Sequence, residues 1–245
     1  MMRCDILTLF PKMISSVLEE SILKRAQEKG LLEVRIINIR DYTTDKHKMA
    51  DDYPYGGGAG MVMKPEPIFN AVGAIKKDYP ELRIIMVSPQ GETFNHNKAV
   101  ELSREKNRLV FICGHYEGID ERVRLGLDAE EISIGDYILT GGELPTLVVI
   151  DAAVRLIAGV LGDEESARHE SFADFILDYP QYTRPPEYKG MNVPEALLSG
   201  NHEEIRRWRR RQAIINTYYK RPDLLEKMKL TDEDKKILNE VKKEA

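Results

Sequence analysis

Between Cys4 and Ile134 short apolar runs alternate with helical stretches, and this alternation restricts the fold more than any other feature of the chain. Cys4–Leu9 reads as a strand. Pro11 stands where a helix can begin, because the first helical turn has no intrahelical use for an N–H. Apolar residues at Met13, Val17, Ile22 and Leu23 predict one helix ending near Gly30, a glycine suited to the left-handed position beyond a helix end. Leu31–Ile39, rich in β-branched residues, predicts a second strand. Together they make a βαβ unit, whose crossover should be right-handed. Another helix starts near Pro65–Pro67. Strands are then predicted over Arg83–Val87, Leu109–Cys113 and Glu131–Ile134, with a helix around 95–106 and a short one within 114–127 between them. The apolar stretch 144–160 predicts a closing helix. The fold class this implies is α/β with a mainly parallel sheet.

The chain changes character after Gly162. Residues 163–175 (DEESARHESFADF) are charged and read as a connecting segment, while 176–194 hold four prolines and three tyrosines and read as extended. From Asn201 onward everything reads as helical: Asn201 with Glu204, and Thr231 with Asp234, give two capping-box signals. The expected organisation is an α/β domain over 1–162, a flexible linker over 163–175 and a small all-helical domain over 176–245. A net charge of −5 over 245 residues announces no global affinity for nucleic acid, so local charge matters more. The two cysteines, Cys4 and Cys113, belong to no CxxC pair, which excludes a disulfide framework and argues against structural zinc. The longest apolar stretch, Leu144 to Leu161, contains Asp151 and Arg155, which argues against a membrane span. A cytoplasmic protein without a membrane partner is expected.

The loops after the late strands carry the functional signal. Arg83–Val87 runs into Ser88-Pro89-Gln90-Gly91, and Leu109–Cys113 into Gly114-His115-Tyr116-Glu117-Gly118-Ile119-Asp120-Glu121-Arg122. Glu131–Ile134 runs into Gly135-Asp136-Tyr137-Ile138-Leu139-Thr140-Gly141-Gly142-Glu143. In open α/β sheets ligands bind outside the carboxyl ends of strands. Three such ends rich in glycine expose backbone N–H and C=O groups, which suit a flat heterocycle with polar edges. Each loop taken singly also reads as a plain turn. A phosphate site is disfavoured: Lys64 is followed by Pro65, which breaks the GxxxxGK[ST] pattern, and neither Gly56-x-Gly58 nor Gly58-x-Gly60 completes GxGxxG. The ligand class left is a nucleoside without polyphosphate.

The stretches SPQG, GHYEGIDERV, SIGDYILTGGELP, DYPQYTRP, SGNHEEIRRWRRRQ and PYGGGAGM, spread along nearly the whole chain, closely resemble the bacterial tRNA (guanine-N1)-methyltransferase family. That family belongs to the SPOUT superfamily. The resemblance implies a parallel sheet with a deep trefoil knot, S-adenosyl-L-methionine as methyl donor, and methylation of guanine N1 at the guanosine immediately 3′ of the tRNA anticodon. It also implies a homodimer whose active sites are shared between subunits, an anticodon stem-loop as partner, and by resemblance alone Mg2+. The rival readings are another SPOUT RNA methyltransferase, acting on ribose 2′-OH or rRNA, and a non-catalytic RNA-binding protein.

By match, the cofactor pocket comprises Val87, Ser88, Pro89, Gln90, Gly91, Gly114, Tyr116, Glu117, Gly118, Ile134, Gly135, Asp136, Tyr137, Ile138, Leu139, Gly141 and Gly142. The sulfonium is an activated electrophile, so no metal is needed to make the methyl reactive. Guanine N1 carries a proton at neutral pH, so a base is required, and charge then spreads onto O6, where a cation helps. The resemblance puts the base at Glu170, in His169-Glu170-Ser171-Phe172, where Asp is the family's usual residue. It gives Arg155 a charge aimed at O6 or at the cofactor end. Four residues after Asp151, Arg155 also reads as half of an i,i+4 ion pair, and the two roles are compatible. Substrate contacts are expected from Asp51, Gly57, Gly58, Ser171 and Asp178. Of the arginines in Arg206-Arg207-Trp208-Arg209-Arg210-Arg211, the expected phosphate binders are Arg206, Arg207, Arg209 and Arg210, with Trp208 in the core. PYGGGAGM, near Asp51, Asp52 and Tyr55, is expected to wall the extruded guanine, and the linker to order when tRNA closes over it.

Overall fold

The protein, seen in a computed structural model, is described over residues 1–162 and 170–244. Residues 163–169 of the expected linker lie outside the described residues. Two compact units divide the chain, Met1–Asp163 and Glu164–Ala245.

The first unit carries β1 (Met2–Thr8), β2 (Leu32–Asn38), β3 (Asp51–Asp52), β4 (Val62–Met63), β5 (Leu82–Thr93), β6 (Arg108–Cys113) and β7 (Glu130–Ser133). Five of them form one parallel sheet in the order β2-β1-β6-β5-β7, and β3 and β4 pair separately as an antiparallel hairpin. Strand side chains alternate between faces, and here each face has its own core. Cys4, Ile6, Leu109, Phe111 and Cys113 pack against α1 (Pro11–Leu18), α2 (Ser21–Glu28), α4 (His96–Ser103) and α6 (Glu143–Val154). Leu7, Val110, Ile112, Ile84 and Met86 pack on the other face with α3 (Pro65–Asp78) and α5 (Glu121–Leu127). β6, central and covered on both faces, is buried at all six positions. Each of its large apolar side chains contributes about 1.5–3 kcal/mol by leaving water.

Three expectations shift. The single helix over 11–30 is two, because the step from Val17 to Ile22 does not fit a 3.6-residue period. Ile14, Leu18, Leu23 and Ala26 are buried, whereas Met13 and Val17 are exposed. The strand expected to stop at Val87 resumes after a detour and reaches Thr93. The helix expected to reach 160 ends at Val154; Leu156, Ile157 and Val160 then donate to carbonyls three residues back, in turns.

The second unit is not all-helical as expected: beside α7 (Glu195–Leu198), α8 (His202–Lys220), α9 (Pro222–Leu225) and α10 (Asp232–Glu244), its proline-rich stretch forms a short antiparallel pair, β8 (Glu187–Tyr188) and β9 (Met191–Asn192). Asn201 caps α8, accepting from the Glu203 and Glu204 amides. Thr231 and Asp234 exchange hydrogen bonds at the start of α10, at 2.9 and 3.2 Å. Ile176, Ala213, Ile214, Met228 and Leu238 make the unit's core. Among the described residues no helix is long and apolar enough to cross a membrane.

Candidate active site

The three strands whose ends carried the sequence signal, β6, β5 and β7, are neighbours in the sheet. Their loops therefore leave from one edge region and in one direction. The first is a detour within a ladder. Val87 and Glu92 both oppose Ile132 of β7, so Ser88-Pro89-Gln90-Gly91 is looped out between them. Gly91 is required there: a Cβ would lie 2.5 Å from the Ile132 nitrogen and against the Glu131 carbonyl.

The other loops interlock through main chain. The Gly142 amide donates to the Gly114 carbonyl at 2.8 Å, and His115 and Gly141 form an isolated antiparallel bridge. Gly142 sits so close over β5 and β6 that a Cβ would come 2.6 Å from a Val87 methyl and 2.7 Å from Cys113 Cα. The glycine-rich hairpin joins the same cluster. Glu117 N–H donates to the Met61 carbonyl, Met63 N–H to the Gly118 carbonyl and Asp120 N–H to the Met63 carbonyl, at 2.9–3.0 Å. Asp51 pairs with Met63 at the root of this hairpin. At its tip Gly56, Gly57, Gly58 and Gly60 all have positive φ, a conformation that side chains oppose. Four segments distant in sequence thus converge, with backbone amides and carbonyls as the exposed chemistry. Tyr116, Tyr137, Ile138 and Leu139 are exposed around them, and Ile134, Gly135 and Asp136 form a tight knuckle closed on the Ser133 hydroxyl.

Beneath this cluster lies a buried acid to which sequence reasoning assigned no role beyond membership of the third loop. Glu143, 1% exposed, accepts from the Thr8 hydroxyl at 2.6 Å, and Thr8 in turn accepts from the Phe10 amide. Its other carboxylate oxygen and His115 Nδ1 are buried without a hydrogen-bond partner among the described residues. Both lie within 2.6 Å of the point a Cβ on Gly141 would occupy. The signal was hidden because an acid in a first helical turn is ordinary. The two thiols are structural: Cys4 and Cys113 are buried and free, and burial holds both far above the usual thiol range. Such thiols are poor nucleophiles.

A family model described as tRNA (Guanine-1)-methyltransferase TrmD matches residues 2–227. The chain belongs to this family. It is 59% identical over 244 residues to a tRNA (guanine-N(1)-)-methyltransferase of Dictyoglomus turgidum, covering 100% of this chain and 98% of the relative. To the protein of the same name from Staphylococcus aureus (strain JH9) it is 57% identical over 241 residues, 98% of each.

Other residues that the family pattern singles out lie at the end of α6 and in the second unit. Arg155 is the half-buried residue that ends α6. In the second unit Glu170 is half-buried and begins a turn in which the Ser171 hydroxyl accepts from the Asp178 amide at 2.9 Å. Asp178 is held further: its carbonyl accepts from Asn216 of α8, and its carboxylate from the Tyr179 amide and the Gln181 side chain. Ser171 and Asp178 are therefore brought together and fastened to α8. The four arginines separate. Arg206 and Arg207 both reach Glu203, one turn back. Arg210 grips the buried Asp234 through two hydrogen bonds of 2.7 and 2.8 Å. Arg209 lies over the Tyr179 ring, 4.9 Å from its centre, and pairs with no acid among the described residues.

Proposed function

We propose that the chain transfers a methyl group from S-adenosyl-L-methionine to N1 of the guanosine immediately 3′ of the tRNA anticodon. The observation that carries this reading is the main-chain interlock of the loops after β5, β6 and β7, found in a chain of the tRNA (guanine-1)-methyltransferase family. Gly114 offers a backbone surface that a ligand can approach, since a Cβ there would meet nothing nearer than Ile119 at 3.5 Å. The resident cofactor supplies an electrophilic methyl on a sulfonium. The chain's own task is to orient and deprotonate. Glu170 takes the proton from guanine N1 and so frees its lone pair for the methyl group that the cofactor would supply. Arg155 balances the negative charge that gathers on O6. The glycine hairpin at 56–60 presents bare main chain to the extruded base.

The finer architecture belongs to the same proposal. The link from Gly142 back to Gly114 supports a trefoil-knotted path, because the segment after β7 recrosses the end of β6. A homodimer with shared sites is supported by α6, which is apolar almost all round yet leaves Leu144 and Val148 exposed near the exposed Ile138 and Leu139. A linker, a helical tRNA-binding unit and a cytoplasmic location complete the reading. No step is routed through Mg2+; among the described residues no group of three or more His, Cys, Asp or Glu is arranged to hold a metal. Mass spectrometry of nucleosides, and of nuclease fragments that locate the label, from tRNA treated with protein and methyl-labelled cofactor tests the whole. N1-methylguanosine is expected at that one position. A labelled 2′-O-methyl nucleoside, or no label, would reject it.

A further inference from the structure

The second unit contains a cleft of about 790 Å³ that the methyl-transfer chemistry does not use. One wall is the proline-rich run from Tyr179 to Pro186, and the floor is apolar, from Val193, Leu197 and Ile205. Two arginines, Arg184 and Arg209, line it, and no acid does. Neither arginine forms an ion pair among the described residues, in contrast to Arg206, Arg207 and Arg210. Three rings complete the picture. Arg209 stacks over Tyr179, and Tyr182 meets Trp208 edge to face with centroids 6.2 Å apart. Tyr182 remains half exposed despite this contact.

From this juxtaposition we infer that the cleft binds one unstacked nucleotide of the tRNA, distinct from the guanosine that is methylated. The inference rests on the proposed tRNA substrate and adds a second point of contact. The ligand class is set by the lining. A flat π-system suits the exposed tyrosine and the apolar floor. Unpaired guanidinium groups at the rim suit the phosphates that flank a splayed base. A hydrophobic peptide would leave both arginines uncompensated against apolar surface, which is costly. The volume lies within the range of small-molecule sites and accommodates a nucleotide. Hydrogen bonding adds selectivity: Gln181 and Thr183 also line the wall. Recognition here is therefore of an unpaired base, not of duplex shape.

The test uses the full chain and a tRNA transcript. Ultraviolet cross-linking and then peptide mapping should attach RNA to the peptide bearing Tyr179 and Tyr182. Val193→Trp, which fills the floor, should raise the KM for tRNA about tenfold, the cost of one lost base stack. The Kd for the cofactor, which binds in the other unit, should not move. Tyr182→Ala serves as a second variant, because removing a half-exposed ring spares the core, and it should give the same rise. A tRNA KM within about twofold of native in a folded variant, or cross-links confined to other peptides, overturns the assignment. So does a variant that loses self-association while holding its tRNA affinity, since the cleft would then be a protein contact. Absence of N1-methylguanosine with the native chain would instead reject the function, so the two failures are distinguishable.

Discussion

Asp234→Asn removes one charge from the support beneath the arginine-rich helix α8, and its cost can be worked from the structure. Asp234 is 1% exposed; its carboxylate accepts both ends of the Arg210 fork and the Thr231 amide, while its own amide donates to the Thr231 hydroxyl that caps α10. Burial opposes its ionisation, yet the Arg210 and Thr231 hydrogen bonds win and pull its pKa from 3.8 to about 2. At ~1.36 kcal/mol for each pH unit, that depression corresponds to about 2 kcal/mol of stability. The direction is fixed by linkage. The unfolded chain binds the proton more readily, so the contribution is complete above 3.8 and is lost as pH falls toward about 2. Trp208, the only tryptophan, lies on α8 and reports unfolding of this unit in urea. With a slope of about 1–2 kcal/mol per molar urea, the midpoint of the Asn variant at neutral pH should fall by about 1–2 M. Between pH 5 and 2 the native protein should lose this increment and the variant should not. If the variant's midpoint lies within about 0.3 M of native at neutral pH, the pair contributes little and α8 is held by its apolar face alone.

The first unit and the turn at Glu170 supply three more tests. Gly114→Val should still fold, because a Cβ there meets only Ile119 at ordinary contact distance, and should lose cofactor binding by calorimetry; normal affinity in a folded variant would place the cofactor elsewhere. Gly91→Ala should cost about 1–3 kcal/mol of stability, because its Cβ would collide with the β7 main chain, and a native melting curve would contradict that geometry. Glu170→Gln should lower single-turnover methyl transfer by about 10²–10⁴-fold while cofactor Kd holds; a rate near native would remove Glu170 from the role of base.

The sheet was legible in the sequence because parallel strands covered on both faces must be continuously apolar. Leu109–Cys113 reads as such a run and is buried throughout. Helix ends were less legible. The break at Glu19–Glu20 is marked locally only by the out-of-period step from Val17 to Ile22, and it lets Leu18 and Leu23 both be buried. The loops show the deeper limit. Gly91 and Gly114 look alike in sequence, each following an apolar strand run, but they do opposite things: a Cβ on one collides with β7 main chain, and on the other meets only Ile119 at ordinary contact distance. That difference arises from which strands become neighbours, a non-local fact that strand propensity does not encode. The same holds for Glu143, an ordinary first-turn acid until β1 brings Thr8 beneath it, and for the arginines of α8, equivalent by composition and divided only by where Glu203 and Asp234 fall. Sequence therefore supplied the inventory of backbone and charge, and topology decided which glycines touch a ligand and which arginines remain available to phosphate. For Arg209 the deciding contact is the Tyr179 ring rather than an acid, which leaves its charge uncompensated and makes the proline-rich wall, not the arginine run as a whole, the place where RNA specificity should be sought.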